Sequence, residues 1–258
     1  MTVTSFTEGK NKDRNEDCFG YNDETFVLAD GATDKSGRQY EGKTGGEIVS
    51  RLVVAETLAC SLNGIELVSH LNQKLAQVYE DLGIMNDVLE PKYRFTCFFA
   101  AVRIVGSNLL ITYLGDTALR INGEKVYRDP KQIDFEVARE RVRYIEETGD
   151  IAGSRDHIMP LLLAQFAYQN NNDNPLGYGA IDGFNTPDKF VKTLEIPRDQ
   201  VQLIELFSDG YPAIPSGNTI EDWENAFKEA EREDPGRWKK YQSTKSQDDR
   251  TVAIMRFQ

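Results

Sequence analysis

Five acidic positions in this chain stand where an apolar, β-branched segment begins or ends. Thr25-Phe-Val-Leu-Ala29 runs into Asp30-Gly31, Leu109-Leu-Ile-Thr-Tyr-Leu114 into Gly115-Asp116, and Val201-Gln-Leu-Ile-Glu-Leu-Phe207 through Ser208 into Asp209-Gly210. Asp248-Asp249 immediately precede Thr251-Val-Ala-Ile-Met-Arg-Phe257, and Glu16-Asp17 open Cys18-Phe-Gly-Tyr21. Carboxylates at the ends of adjacent strands can converge on one edge of a sheet, and a neighbouring Gly lets the backbone approach a ligand closely. A single Asp-Gly after a strand is ordinarily a turn and nothing more. Five acidic strand ends ask for more, because clustered carboxylates repel one another strongly; either they do not converge or cations lie among them. Ligation by oxygen alone, without His or Cys, selects hard octahedral ions such as Mg²⁺ or Mn²⁺ over zinc or copper. Two such ions bridged by one carboxylate are a recurring device for phosphoester hydrolysis.

The elements that would position these groups follow from patterning. β-branched and aromatic runs bounded by turn formers predict strands at 2–6, 18–21, 25–29, 94–105, 108–114, 118–122, 189–196, 201–207 and 251–257. Gly106-Ser107 and Asn122-Gly123 are hairpin signals, and short connections favour antiparallel pairing. Helical periodicity covers 46–62 and 65–82, joined at Asn63-Gly64, which reads as a C-cap, and further helices are expected at 134–148, 156–170 and 219–233. Strands and helices are grouped rather than alternating, so the class is α+β. With no internal repeat and no low-complexity tract, 1–258 reads as one domain. The irregular segment 127–187, with its polar run Gln169–Pro175 and Gly177-Tyr178-Gly179, reads as a surface insertion or lid.

Composition narrows the partners. The 258 residues carry 30 Lys+Arg against 42 Asp+Glu, a net charge of −12, with no basic stripe, which argues against nucleic acid. If the ligand is anionic, something else must supply positive charge. Cys18, Cys60 and Cys97 are widely spaced and odd in number, so neither a disulfide framework nor a zinc knuckle fits, and a reducing cytoplasmic setting is the expectation. His70 and His157, both in helical stretches, read as structural rather than as catalytic bases. No signal sequence and no apolar run of about 18 residues appears, so no membrane partner is expected. Cys97 and Arg103 satisfy the bare Cys-x5-Arg spacing of cysteine-dependent phosphatases. The filling Phe98-Phe-Ala-Ala-Val102 is that of a buried strand, which would hold the two residues roughly 20 Å apart.

The ordered set Arg14-Asn15-Glu16-Asp17, Asp30-Gly31, Phe95-Thr96-Cys97, Gly115-Asp116-Thr117, Ser208-Asp209-Gly210 and Asp248-Asp249-Arg250-Thr251 spans almost the whole chain. It resembles the metal-dependent PPM (type 2C, PP2C-like) serine/threonine protein phosphatases. The resemblance implies a central β-sandwich of two antiparallel sheets flanked by helices, a four-layer α-β-β-α arrangement with the metal centre at one end. It further implies two Mn²⁺ or Mg²⁺ ions, a weaker third, and hydrolysis of phosphoserine or phosphothreonine in a protein by in-line attack of a metal-activated water.

Carried over by position, Asp30 matches the carboxylate bridging the two metals and Gly31 contributes its carbonyl. Asp209 and Asp248 match the other carboxylates on the first metal, Glu16 and Asp17 the acidic pair of the second, and Asp116 the residue that shares a third with Asp209. The catalytic set is thus Asp30, Asp209 and Asp248. Many members place an arginine four residues before the Glu to grip the substrate phosphate. That position is Lys12 here, with Arg14 nearby, and either could serve, Lys as a point charge and Arg as a bidentate fork. Asp30-Gly31-Ala32-Thr33-Asp34 also lacks the His or Gly residues that follow this Asp-Gly elsewhere, which leaves leaving-group protonation to water or another side chain. Asp249, commonly Asn in members, reads as a supporting or surface residue. Two other readings stay open: a non-catalytic adaptor that keeps the fold, and a phosphatase of a small phosphorylated metabolite whose pocket the 127–187 segment closes.

Overall fold

The computed structural model describes residues 1–11, 14–32, 35 and 37–257. In chain order the strands are β1 (Thr2–Glu8), β2 (Asp17–Tyr21), β3 (Thr25–Ala32), β4 (Thr96–Val105), β5 (Asn108–Leu114), β6 (Ala118–Ile121), β7 (Lys125–Tyr127), β8 (Lys192–Pro197), β9 (Leu203–Phe207) and β10 (Arg250–Arg256). The α-helices are α1 (Gly45–Ala59), α2 (Gly64–Asp81), α3 (Gln132–Thr148), α4 (Ser154–His157), α5 (Met159–Ala164) and α6 (Ile220–Glu233). The strands form two five-stranded sheets, in the orders β1-β10-β9-β6-β7 and β2-β3-β4-β5-β8. Every pairing is antiparallel. The α+β sandwich expected from the sequence is the architecture observed.

The period of two along β3 shows how the layers assemble. Phe26 and Leu28 face the other sheet and meet Ile111, Leu119, Ile204, Leu206 and Met255 in the inter-sheet core. Val27 and Ala29 face outward and are covered by Val49 and Val53 of α1 and by Leu67, Leu71 and Leu75 of α2. Covered on both faces, β3 and β4 are continuous apolar runs. On the opposite side Trp223 of α6 packs fully buried against Phe207, Tyr211 and Val252. Capping boxes start α1, where Thr44 pairs with Glu47, and α6, where Thr219 pairs with Asp222.

Several predicted boundaries shift for local reasons. Asn63-Gly64 is not a C-cap: α1 ends at Ala59 with an extended Cys60, and Asn63 is the extended residue before α2. The helix expected over 156–170 breaks into α4, α5 and a single 3-10 turn, because Pro160 has no N–H to donate and clashes with the preceding turn. The Asn122-Gly123 turn, both residues at positive φ, does close a hairpin, with β7 as an unpredicted partner strand. Asp30 and Gly31 lie within β3 rather than after it, since pairing with β4 continues to Ala32 opposite Thr96. No described helix is long and apolar enough to cross a membrane.

Candidate active site

Sheet register brings the acidic strand ends to one end of the sandwich. Asp17 on β2 is paired directly with Asp30 on β3. Asp30 lies opposite Phe98 on β4, and the next residue, Phe99, pairs with Leu114, the last residue of β5, so the Gly115-Asp116 turn emerges beside Asp30. In the other sheet Phe207 at the end of β9 pairs with Val252, and the Ser208 amide donates to the Thr251 carbonyl, which sets Asp209 beside Asp248 and Asp249. The sheets are tied at this end by Ser208, whose hydroxyl donates to Asp17 Oδ2 at 2.7 Å and accepts from the Thr251 amide at 2.9 Å.

Two glycines permit the approach. A Cβ at Gly31 would lie 2.3 Å from the Gly46 carbonyl oxygen at the start of α1, and one at Gly210 would lie 2.0 Å from the Asp249 carbonyl oxygen. Neither loop could close with a side chain at those positions.

Burial, and after it the charge of neighbouring carboxylates, resists ionisation here. Burial, with hydrogen bonds from Ser208 and Thr251 opposing and Asp249 and Asp209 adding, pushes Asp17 up to about 7. Burial and then repulsion from Asp17, Asp209 and Asp116 raise Asp30 well above the usual range. Asp116 is also raised by burial, partly offset by Lys131. Burial works on Asp209 in the same direction, but Lys245, Lys131, Arg237 and Lys10 outweigh it and hold that carboxyl below its ordinary value.

Lysines from three separate loops enter this cluster. Lys10 contacts Glu16 at 2.8 Å and Asp249 at 3.2 Å, and lies 3.8 Å from Asp248. Lys131 bridges Asp116 and Asp134, at 3.1 Å to each. Lys245 is ion-paired with Asp248 and lies 3.8 Å from Asp209. Sequence reasoning missed all three, because a lysine in a polar loop carries no periodicity that would reveal its partner.

Glu16 is buried with both oxygens engaged, one by Lys10 and the other by the Thr44 hydroxyl at 2.7 Å, so it anchors the N-terminal end of α1. Asp248 Oδ1 accepts from the Asp249 amide at 3.0 Å. Asp249 is buried and accepts from the amides of Lys10 and Glu16, which makes it the residue that shapes the β1–β2 loop. Arg14 is half-buried on that loop without an ion-pair partner among the described residues. Lys12, Thr33 and Asp34 lie outside the described residues. Cys97 is fully buried and its thiol is pushed well up by burial, while Arg103 bonds Thr25 and the Thr57 carbonyl, so the cysteine-phosphatase spacing is only core. His70 pairs with Glu56, and His157 pairs with Glu140 and stacks on Tyr144.

Among the described residues, no three His, Cys, Asp or Glu side chains are already drawn together as an ion-holding group. The donor chemistry nevertheless suits a hard divalent ion. Asp17 Oδ1, Asp116 Oδ1 and Asp209 Oδ1 are buried without a hydrogen-bond partner. A buried carboxylate oxygen left unpartnered is costly, and a cation is the ligand that satisfies several at once.

No protein-family model matches the chain, and no curated relative matches it in sequence. Solved structures do match. A bacterial serine phosphatase aligns at 15% identity with a TM-score of 0.56, covering 100% of this chain and 98% of that one. The serine/threonine phosphatase Stp1 from Staphylococcus aureus aligns at 16% identity and TM-score 0.53, covering 99% and 94%. The catalytic domain of the serine/threonine protein phosphatase PstP, solved in complex with two manganese ions, aligns at 16% and 0.53, covering 98% and 96%. The chain therefore has the fold of the bacterial serine/threonine phosphatases, which is the sandwich that the PPM resemblance implied.

Proposed function

We propose that the chain is a single-domain, metal-dependent phosphomonoester hydrolase acting on phosphoserine or phosphothreonine in proteins. The observation that carries this reading is the gathering of Asp17, Asp30, Asp116 and Asp209 at one end of the sandwich, three of them with unpartnered buried oxygens, on a fold shared with serine/threonine phosphatases. In this reading Asp30, Asp209 and Asp248 would hold one Mn²⁺ or Mg²⁺ ion, Asp30, the Gly31 carbonyl and Asp17 would hold a second, and Asp116 with Asp209 would offer a weaker third place. Glu16, whose oxygens are already engaged, holds the loop from which Asp17 emerges. When bound, the ions would supply a lowered pKa for water and neutralisation of the phosphoryl oxygens.

The chain's own groups do the rest. Ser208 fixes the Asp17 carboxylate, leaving its other oxygen facing the cluster. The phosphate oxygens fall, in this reading, to Arg14 as a bidentate fork or to Lys12 as a point charge. Before any ion arrives, Lys131 sits against Asp116, and Lys245 against Asp248 and Asp209, holding the Asp209 carboxyl below its ordinary value. The same ammonium groups favour a second reading, in which they replace the ions altogether and the domain binds a partner without hydrolysis. Titration calorimetry with Mn²⁺, beside hydrolysis of para-nitrophenyl phosphate, separates the two. Binding and metal-dependent turnover support the enzyme, and absence of both supports the adaptor.

A further inference from the structure

A cavity of about 600 Å³ opens directly beside Asp116 and Asp209, walled by α3, the α4–α5 segment and residues 237–245. Its charge is opposite to that of the molecule. Seven of its described lining residues are Lys or Arg and three are Asp, in a chain of net charge −12. Four of the cations are engaged elsewhere. Lys131 and Lys245 pair with the site carboxylates, Arg237 pairs with Glu231, and Lys240 pairs with Glu233.

Arg155 is different. Half-buried in the cavity wall, its guanidinium donates a hydrogen bond to the Thr244 carbonyl at 2.8 Å; Asp134 and Asp156 attract it through space, but no described carboxylate is within ion-pair distance. Arg128, exposed at the same cavity, also has no ion pair among them. A guanidinium that spends one donor on a carbonyl and opens to the cavity keeps further donors free for an anion. Burial first, and then the charges of Arg155, Lys245 and Lys131, bring the Lys35 ammonium at this cavity down to about 7.

We propose that Arg155, assisted by Arg128, is a specificity-determining residue that receives a second anionic group of the substrate, a carboxylate or phosphate carried close to the phosphoryl group under attack. The inference rests on the phosphatase reading above. For a phosphoprotein the substrate class is therefore a phosphoserine or phosphothreonine with an acidic or phosphorylated residue beside it. A cavity of this size admits the phosphorylated side chain and its neighbour, and it holds Asp116, Asp209 and Arg155 in one continuous space. A guanidinium offers paired donors to either anion, which is why Arg rather than Lys suits the role.

The test compares phosphoserine peptides flanked by Glu, by a second phosphoserine, by Ala or by Lys, each with Mn²⁺, for wild type, Arg155→Gln, Arg155→Lys and the exposed Arg128→Gln. A bisphosphorylated sugar and its monophosphate form a parallel arm that separates a metabolite source of the second anion from a protein one. Wild type is expected to prefer the doubly anionic member of a pair by roughly tenfold in kcat/KM, carried in KM, the size of one charge-assisted contact. Arg155→Gln should bring that ratio close to one, Arg155→Lys should keep part of it, and Arg128→Gln should reduce it less. Turnover of para-nitrophenyl phosphate with no preference in either arm, or a preference that survives Arg155→Gln, overturns the inference while leaving the phosphatase reading intact. No turnover of any substrate with Mn²⁺ overturns both.

Discussion

The hydroxyl of Ser208, at the end of β9 in one sheet, donates a 2.7 Å hydrogen bond to Oδ2 of Asp17, at the start of β2 in the other. That contact joins the two layers at the end where the carboxylates gather, and it aims one oxygen of Asp17 while leaving the other unpartnered. Ser208 also accepts from the Thr251 amide, so both groups lose a buried partner when the hydroxyl is removed. Ser208→Ala is expected to cost about 1–3 kcal/mol, the range for a buried group left unsatisfied, read as a lower urea midpoint with an unchanged slope. A variant as stable as wild type would mean that Asp17 is held by other means.

The raised carboxyls predict an unusual pH response of the metal-free protein. Asp17 is pushed up to about 7, mainly by burial, and Asp30 and Asp116 are raised for the same first reason. Groups whose folded pKa exceeds the unfolded value of about 3.9 bind more protons folded than unfolded, so their contribution to stability falls as pH rises between those values. Between about pH 4 and pH 7 these residues should therefore destabilise the chelator-treated protein progressively. Asp17→Asn, which cannot ionise, should flatten part of that fall. Thermal unfolding of both proteins across this range checks it, and an equal fall in the variant would contradict the assignment to Asp17.

Lys245 is paired with Asp248 and lies 3.8 Å from Asp209, so under the proposed metal-binding reading it competes with a divalent ion for both carboxylates. Lys245→Met keeps the length of the side chain and removes its charge. It should tighten Mn²⁺ binding by roughly tenfold, about 1.4 kcal/mol, while lowering the stability of the metal-free protein. Calorimetry gives the first quantity and denaturation in chelator the second. Unchanged affinity would show that the ammonium does not compete with the ion.

On the strands that lead to Asp116 and Asp209, Arg120 of β6 and Glu205 of β9 are paired directly and form a buried, two-pronged ion pair. The pair is completed by Trp223 Nε1, at 2.8 Å from Glu205, and by the carbonyls of Pro215 and Gly217. Removing one partner strands the other charge in a core, so Arg120→Ala should cost about 3–5 kcal/mol, measured by urea denaturation. A loss under about 1 kcal/mol would mean that Glu205 finds solvent in the variant.

The strands that carry the site carboxylates were legible because each pairs a period-two or continuous apolar run with a turn at its end, and those local signals agree with the tertiary arrangement. Asp30 was located but placed after its strand, since nothing local reveals that β4 goes on pairing through Gly31 and Ala32. What the sequence could not disclose is pairing between residues distant in the chain. Lys10, Lys131 and Lys245 look like solvated loop charges, and Arg120 and Glu205 interrupt apolar strands without indicating that each is the other's partner. The failure at 156–170 was local, because Pro160 stood in plain view inside the predicted helix.

The central claim is that the gathered carboxylates bind divalent ions for hydrolysis of a phosphomonoester. It is tested most directly by hydrolysis of a phosphoserine peptide with Mn²⁺ and with chelator, for wild type and Asp209→Asn in parallel. Wild type should turn over the peptide only with Mn²⁺, and the variant should lose roughly 100-fold or more of that activity. Turnover that survives chelator, or that is unchanged in Asp209→Asn, would contradict the account.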